Sequence, residues 1–190
     1  MASWQAWKKS VGAALVLGAF AAPAMSQAVL SFTTVGSGLQ GQPLALDVRI
    51  TGVVDLYGFQ FSLGFNPSVL QATSVTEGPF LPTGGGTFFS PGTINNTTGL
   101  VSFAFDSLTG TLPGVNGDGV LARVNFTTPA AGTSPITFSN VLLLNSALAD
   151  IPFTINGGSV TVSAVPEPAP ALLLAAGLAG LALRRRLRAA

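Results

Sequence analysis

The sequence predicts an all-β protein, an antiparallel two-sheet sandwich of about nine short strands. Three observations lead to this fold class. Apolar and polar residues alternate with a period of two through most of residues 29–164. Segments rich in glycine, proline and asparagine separate these alternating runs. None of the runs repeats its apolar residues at the 3.6-residue spacing of a helix. Two packed antiparallel sheets that share one core are the economical architecture for such a pattern.

The alternation assigns an inward face to each predicted strand. The predicted strands cover residues 30–34, 44–50, 57–65, 100–105, 120–126, 136–138, 141–144, 153–155 and 159–162. In the fourth run the period of two places Val101, Phe103 and Phe105 together on the inward face. Most of the 13 phenylalanines fall at inward positions in this way. Phe88 and Phe89 lie instead in a Gly/Pro-rich loop, where they are candidate ligand contacts.

Composition and charge exclude several classes of function. The chain has 190 residues, of which 48% are hydrophobic and 8% are charged, and it contains neither histidine nor cysteine. Catalytic cysteines, His-assisted serine nucleophiles and the common zinc sites are therefore absent from the sequence. Between the two ends, the chain contains six carboxylates and only two basic residues, Arg49 and Arg123. No basic groove for nucleic acid is therefore expected.

Residues 1–28 have the layout of a secretory signal peptide. Lys8 and Lys9 precede an apolar stretch at 11–22, and small residues follow at Ala24 and Ala28. Cleavage after Ala28 is favoured over cleavage after Ala24, because an alternating strand pattern begins at the next residue. A retained N-terminal membrane helix is the alternative, but an apolar run of about 12 residues is short for it.

The C-terminal segment, residues 165–190, predicts a membrane-spanning helix at 169–183. This apolar stretch follows Pro166, Glu167 and Pro168, and the prolines favour an extended segment rather than regular helix. The arginines that follow the stretch would hold that end in the cytoplasm and act as a stop-transfer signal. They are Arg184, Arg185, Arg186 and Arg188. This topology exports the intervening domain, residues 29–164.

The tripartite tail resembles the PEP-CTERM sorting signal of Gram-negative bacteria. The resemblance rests on a Pro-Glu-Pro motif, an apolar helix and an arginine cluster, in this order at the C-terminus. It implies processing by an exosortase, with Pro166, Glu167 and Pro168 as substrate, in organisms that usually produce exopolysaccharide. Membrane anchoring through the helix before processing, and then a cell-surface or extracellular location, would follow.

The middle of the chain is similar to a cohesin domain. The motifs that carry this resemblance are residues 41–48, the aromatic run 56–70, residues 75–78 and the strand 119–126. The resemblance implies a nine-stranded jelly-roll sandwich related to carbohydrate-binding modules. It implies two classes of ligand, a dockerin-type protein or a polysaccharide. In the turn after the aromatic run, Asn66 replaces the family's aspartate, so a role resting on that carboxylate does not transfer.

Metal and acid chemistry are weakly supported by the sequence. Asn116, Asp118 and Gly119 match part of a calcium-loop pattern, but the first and last ligand positions of the pattern are not acidic. A tight turn is favoured, no cofactor is predicted, and a weak oxygen-rich calcium site shared with another loop stays open. Asp47 and Arg49 lie on one strand face and are interpreted as a surface pair. No two carboxylates are paired by the sequence in the manner that a glycosidase requires.

The sequence therefore predicts a non-enzymatic, exported binding module without catalytic or metal-ligating residues. The predicted partners are an exosortase, the membrane through the C-terminal helix, and either extracellular polysaccharide or a secreted dockerin-like protein. One alternative is a structural protein of the extracellular matrix or biofilm without a discrete ligand site. A carboxylate-based glycoside hydrolase is a further alternative.

Overall fold

The computed structural model describes residues 27–165 and 170–188, and it contains nine strands, one 3₁₀ turn and one helix. The strands are β1 Ala28–Gly36, β2 Leu44–Gly64, β3 Gln71–Glu77, β4 Thr93–Asn95, β5 Leu100–Ser107, β6 Val115–Thr127, β7 Gly132–Asn145, β8 Phe153–Ile155 and β9 Gly158–Val162. The 3₁₀ turn is Leu81–Gly84, and the helix, α1, is Pro170–Arg188.

The long strand β2 belongs to both layers of a sandwich. Its first half, residues 44–50, pairs with β1 and β6, and this first sheet has the order β8-β1-β2-β6-β3. Its second half, residues 56–64, pairs with β5 and β7, and this second sheet has the order β9-β7-β2-β5-β4. The two-sheet architecture predicted from the alternation is present, with a single strand passing between the sheets.

A kink at residues 52–55 lets β2 change sheets. Gly52 and Asp55 have positive φ angles of 68° and 60°, a conformation that glycine and, less readily, aspartate adopt. The kink exposes backbone donors that the ladder does not use. Asp118 Oδ1 accepts the N–H of Gly52 at 2.6 Å, and Asn116 Oδ1 accepts the N–H of Asp55 at 2.8 Å. The prediction of a tight turn here is wrong, because β6 already begins at Val115; the side chains of Asn116 and Asp118 in this strand hold the kink of β2.

The core fills the space between the two sheets. Inward residues of both layers form one buried cluster that runs from Ala28 to Val162. Aromatic contacts bridge the layers: the ring of Phe126 in β6 lies 5.2 Å from that of Phe65, and the ring of Phe32 in β1 lies 6.5 Å from that of Phe138 in β7. The hydrophobic core is thus built within residues 28–162.

Several strands differ from their predicted bounds. The predicted strands 44–50 and 57–65 are the two halves of β2, and 136–138 and 141–144 are parts of β7, which a bulge at Asn140 interrupts. The short strands β3 and β4 are absent from the predicted set, because they contain few apolar residues to alternate. The prediction of a purely antiparallel sandwich is wrong at one edge, where β1 and β8 pair in parallel.

The prediction for the faces of β5 is wrong beyond Ser102. Phe103 has a φ of 53° and forms a bulge opposite Ser62 of β2. One extra residue shifts the alternation by one, so Val101 and Ala104 face the core, whereas Phe103 is 54% exposed. Phe105 falls on the outer face for the same reason.

The C-terminal helix differs from the predicted membrane span at 169–183. Residues 166–169 lie outside the described residues, and α1 continues from Pro170 through the arginine cluster to Arg188. Every 18-residue stretch of α1 contains at least three of the arginines at 184–186 and 188. Among the described residues, no helix combines the length and the apolar composition needed to cross a membrane. The predicted span is therefore not supported.

The predicted signal peptide lies largely outside the described residues, which begin at Gln27. Ala28 is the first residue of β1, is 2% exposed and pairs with Phe153. The Gln27 amide donates to the carbonyl of Phe153 at 3.2 Å. Cleavage after Ala24 would keep these contacts, whereas cleavage after Ala28 would remove them. The choice between the two positions stays a prediction.

Candidate binding face

The outer face of the second sheet carries an apolar surface, which we call the docking face. It consists of the outward residues of β5, of residues 56–64 of β2 and of β7, together with Phe88. Strand register places Gln60 of β2 between Phe105 of β5 and Leu142 of β7. One step along the strands, Gly58 lies between Ser107 and Leu144. Apolar side chains on two strands thus flank a low strip of β2.

Large apolar side chains on this face are exposed to solvent. Phe88 is 61% exposed, Phe103 is 54% exposed and Leu142 is 37% exposed. Residues 87–90 run beside β5, since Phe88 N–H donates to the carbonyl of Ser107 at 2.8 Å. This pairing brings the Phe88 ring to 5.9 Å from the ring of Phe105 at an angle of 42°. A contiguous exposed apolar surface of this kind is typical of a binding site.

The absence of a side chain at Gly58 leaves a shallow cavity in the centre of the docking face. The cavity has a volume of about 160 Å³, and Phe105, Leu142 and Leu144 are among the residues that line it. A Cβ atom at Gly58 would lie 3.2 Å from the carbonyl oxygen of Asp106, so a side chain at this position would crowd β5 and fill the cavity. The cavity can therefore accept an apolar side chain of a partner, in the manner of an interface pocket.

Hydrogen bonds to Ser62 fix the two strands that flank the centre of the face. Ser62 is 1% exposed, and its Oγ accepts the N–H of Phe103 at 3.1 Å and the amide of Asn140 at 3.4 Å. Phe103 and Asn140 are the bulge residues of β5 and β7, with φ angles of 53° and 49°. The Gln60 amide donates to the carbonyl of Asn140 at 3.2 Å. These contacts orient the exposed aromatic ring of Phe103.

A buried carboxyl group lies on the opposite side of β5 from the docking face. Asp106 is 1% exposed, and neither of its oxygens has a hydrogen-bond donor among the described residues. Desolvation, together with the nearby Glu77 carboxylate of β3, raises the pKa of Asp106 to about 7. Glu77 also accepts a hydrogen bond from the Thr87 hydroxyl. The structure thus pairs two carboxylates, but Asp106 presents no surface that a sugar substrate can contact.

Asp47 does not form a hydrogen bond with Arg49, its predicted surface partner. Asp47 instead forms a bidentate pair with Arg123 of β6, with Nε–Oδ1 and Nη2–Oδ2 distances of 2.6 Å and 2.9 Å. Strand register places Asp47 directly opposite Arg123. The Arg123 guanidinium lowers the pKa of Asp47 and Asp47 raises that of Arg123. These charges lie on the first sheet, away from the docking face.

The candidate calcium loop uses its side-chain oxygens within the fold. Asn116 and Asp118 accept backbone N–H groups of β2, as described above. The Asp55 carboxylate accepts the Ser146 hydroxyl at 2.8 Å and the N–H of Gly114 at 2.8 Å. The Ser146 hydroxyl is the largest cause of the lowered pKa of Asp55.

Because these side chains are used within the fold, we predict that Asp118→Ala destabilises the protein. We also predict that adding Ca²⁺ does not stabilise it. We expect the variant to lose about 1–2 kcal/mol, because the Gly52 N–H is left without its acceptor. Thermal unfolding followed by circular dichroism, with Ca²⁺ or with a chelator, is the measurement. A melting temperature that rises by several degrees on adding Ca²⁺ would instead support the open calcium alternative.

The structure separates the two predicted aromatic contacts. Phe88 lies on the docking face, whereas Phe89 packs against the core. The sorting-motif residues Pro166, Glu167 and Pro168 lie outside the described residues. The four arginines are exposed along the last turns of α1, where cations complement the helix dipole. The alternation places Phe103 and Phe105 in the core and does not single out Leu142 as a contact; only recognition of the bulges at Phe103 and Asn140 identifies all three as surface residues.

Comparisons with known proteins identify both parts of the chain. Residues 29–162 match the family model of the cohesin domain, and residues 164–186 match the PEP-CTERM protein-sorting motif. A curated relative, cellulose-binding protein A of Clostridium cellulovorans, is 30% identical over 146 residues. That match covers 73% of this chain, which spans only 8% of the relative's length.

Solved cohesins have the same fold at low sequence identity. A type II cohesin module of the ScaA scaffoldin from Acetivibrio cellulolyticus aligns with a TM-score of 0.61 at 16% identity, covering 77% of this chain and 96% of that one. The sixth cohesin of scaffoldin B from the same organism, solved in complex with a Cel5 dockerin, gives 0.57 at 18% identity, covering 73% and 100%. A non-cellulosomal cohesin from Archaeoglobus fulgidus gives 0.56 at 15% identity, covering 75% and 94%.

Cohesin domains are non-catalytic binding modules, and together with the sorting motif they indicate an exported extracellular protein. The nine strands, the buried core and the family match cover the same part of the molecule. The chain therefore belongs to the cohesin domain family and ends in a PEP-CTERM sorting motif.

Proposed function

We propose that this protein binds a dockerin-bearing secreted protein through the docking face. The single observation that carries the proposal is the exposed apolar surface on β5 and β7, to which Phe103 and Leu142 belong. The first sheet offers a contrasting surface, since its outward side carries Asp47, Arg49 and Arg123. Membership of the cohesin family supports a protein partner, and the cohesin of scaffoldin B named above was solved with a dockerin.

The tail supports a second part of the proposal, which concerns delivery. We propose that an exosortase recognises Pro166, Glu167 and Pro168 and releases or displays the module outside the cell. The PEP-CTERM match over residues 164–186 supports this route. An extracellular polysaccharide remains the competing ligand, because exposed aromatic rings such as Phe88 and Phe103 also suit sugar stacking. A matrix protein without a discrete site is the remaining alternative.

Affinity measurements on face variants test the proposal. The purified full chain is titrated with a panel of purified dockerin modules encoded in the same genome. We expect Phe103→Ser to weaken the binding of the cognate dockerin at least about tenfold, and the double variant with Leu142→Ser about a hundredfold, since buried apolar anchors dominate interface energies. The matched control is Val54→Ser, which changes a residue that is 63% exposed at the corner of β2.

Two outcomes would contradict this assignment. If all variants bind the dockerin equally well, the docking face is not the contact surface. If no dockerin binds while a glycan array shows binding that depends on Phe88 or Phe103, the polysaccharide alternative replaces the proposal. Absence of binding in both assays would favour the structural matrix protein.

A further inference from the structure

Charge is divided unequally between the two sheets of the sandwich. The charged residues of the segment 27–165 are Asp47, Arg49, Asp55, Glu77, Asp106, Asp118, Arg123 and Asp150. Asp47, Arg49 and Arg123 belong to strands of the first sheet, and Glu77 ends its edge strand β3. The charged strand residues are therefore concentrated on the first sheet, and the outer surface of the second sheet has to be considered separately.

The second sheet presents an uncharged outer surface. Of its strand segments, namely β4, β5, β7, β9 and residues 56–64, only β5 contains a charged residue. That residue is Asp106, which is 1% exposed and lies behind the docking face. One exposed carboxylate, that of Asp150, lies at the rim of this surface, since Asp150 pairs with Leu144 at the edge of β7; the centre between β5 and β7 carries none. The polar groups of the face itself are neutral, for example Gln60, Ser139 and Asn140.

An uncharged face selects its partner by desolvation. A lysine or glutamate of the partner that was buried against Phe105 or Leu142 would lose hydration and find no opposite charge. Apolar side chains and neutral hydrogen-bonding groups lose little by the same transfer. The two apolar rows, on β5 and β7, lie two strand spacings apart, about 10 Å, and the strip at Gly58 between them is low. This shape suits an apolar ridge on the partner.

We propose that the docking face recognises a dockerin whose contact surface is uncharged, made of apolar and neutral hydrogen-bonding side chains, with no ion pair at the interface. This inference rests on the proposed function and specifies the class of partner for the same site. It predicts that the affinity responds to any charge placed in the centre of the face, whatever its sign. It also predicts that the affinity is insensitive to ionic strength.

The test pairs two opposite charge substitutions at one position with a salt series. The cognate dockerin is titrated against the full chain carrying Gln60→Glu or Gln60→Lys, and against the unmodified chain from about 50 mM to about 500 mM NaCl. We expect each substitution to weaken binding at least tenfold, and the affinity of the unmodified chain to change less than threefold with salt. A circular dichroism melting curve of each variant verifies that the fold is intact.

The outcomes separate this inference from the proposed function. If one sign of charge preserves or tightens binding, or if salt weakens the unmodified complex more than tenfold, the partner uses ion pairs and the inference is wrong, although dockerin binding stands. If no dockerin binds at any salt concentration, the proposed function and this inference both fail. The salt series uses the unmodified chain, so it decides the question even if both variants misfold.

Discussion

Replacing Asp106 by asparagine is expected to stabilise the protein at pH 8, by an amount on the order of a few kcal/mol, and to leave its stability nearly unchanged at about pH 4. The carboxyl group is 1% exposed and has no hydrogen-bond donor among the described residues. Desolvation and the neighbouring Glu77 carboxylate raise its pKa from 3.8 to about 7, so at pH 8 the folded state must hold an unfavourable buried charge. Asparagine has nearly the same shape and can donate to the Glu77 carboxylate.

The sign follows from comparing the folded and unfolded states. The folded state binds the Asp106 proton more tightly, so the stability that this proton contributes is complete below about pH 4 and is lost as the pH rises through about 7. Unfolding in denaturant at both pH values measures the difference between the unmodified chain and Asp106→Asn. Equal stabilities at pH 8 would show that Asp106 is not held in an unfavourable charged state.

Asp47→Asn provides a control of opposite sign. The pKa of Asp47 is lowered by the hydrogen bonds with Arg123, so its charged form stabilises the fold above about pH 4. We expect this variant to be less stable than the unmodified chain at pH 8. If both substitutions changed the stability in the same direction, a general effect of net charge would account for the result.

The second large effect is expected for Phe126→Ala, which we predict to cost about 3–5 kcal/mol. Phe126 is 2% exposed, and its ring meets that of Phe65 edge-on at 5.2 Å across the two layers of the sandwich. Truncation would leave a cavity between β6 and the end of β2. Denaturant unfolding at a pH of about 5, where Asp106 is protonated, measures the loss without interference from its ionisation.

Phe103→Ala is the matched control for the core assignment. The same residue type is removed from β5, but Phe103 is 54% exposed, so the cost is expected to stay within about 0.5 kcal/mol. The alternation in the sequence predicts that both phenylalanines are buried. A loss comparable with that of Phe126→Ala would mean that the bulge opposite Ser62 is absent and that Phe103 faces the core.

The sequence predicted the fold class because the inward alternation of β2 and β6 is strong. In residues 44–50 and 120–126 every second side chain is apolar, and the structure buries most of them. The sequence does not predict β3 and β4, because neither has a regular apolar face. β3 is held by pairing with β6, and β4 by pairing with β5. The parallel pairing of β1 with β8 depends on contacts between residues far apart in the chain, which local patterns do not encode.

The docking face was only partly accessible to sequence reasoning. Phe88 was identified because its loop composition removes it from the strands. The alternation places Phe103 and Phe105 in the core, but the bulge at Phe103 shifts the alternation by one residue and turns both outward. No residue type in that segment indicates the bulge. The burial of Asp106 is a consequence of the same reversal. Aspartate would otherwise be expected at the exposed end of a strand.

Hydrogen–deuterium exchange on the complex with the cognate dockerin tests the central claim most directly. We predict slower exchange on binding in β5, in residues 56–64 of β2 and in β7, with β3 and β6 unchanged. Protection confined to β3 and β6, on the side of the sandwich that bears Asp47 and Arg123, would contradict the claim that the uncharged sheet makes the contact.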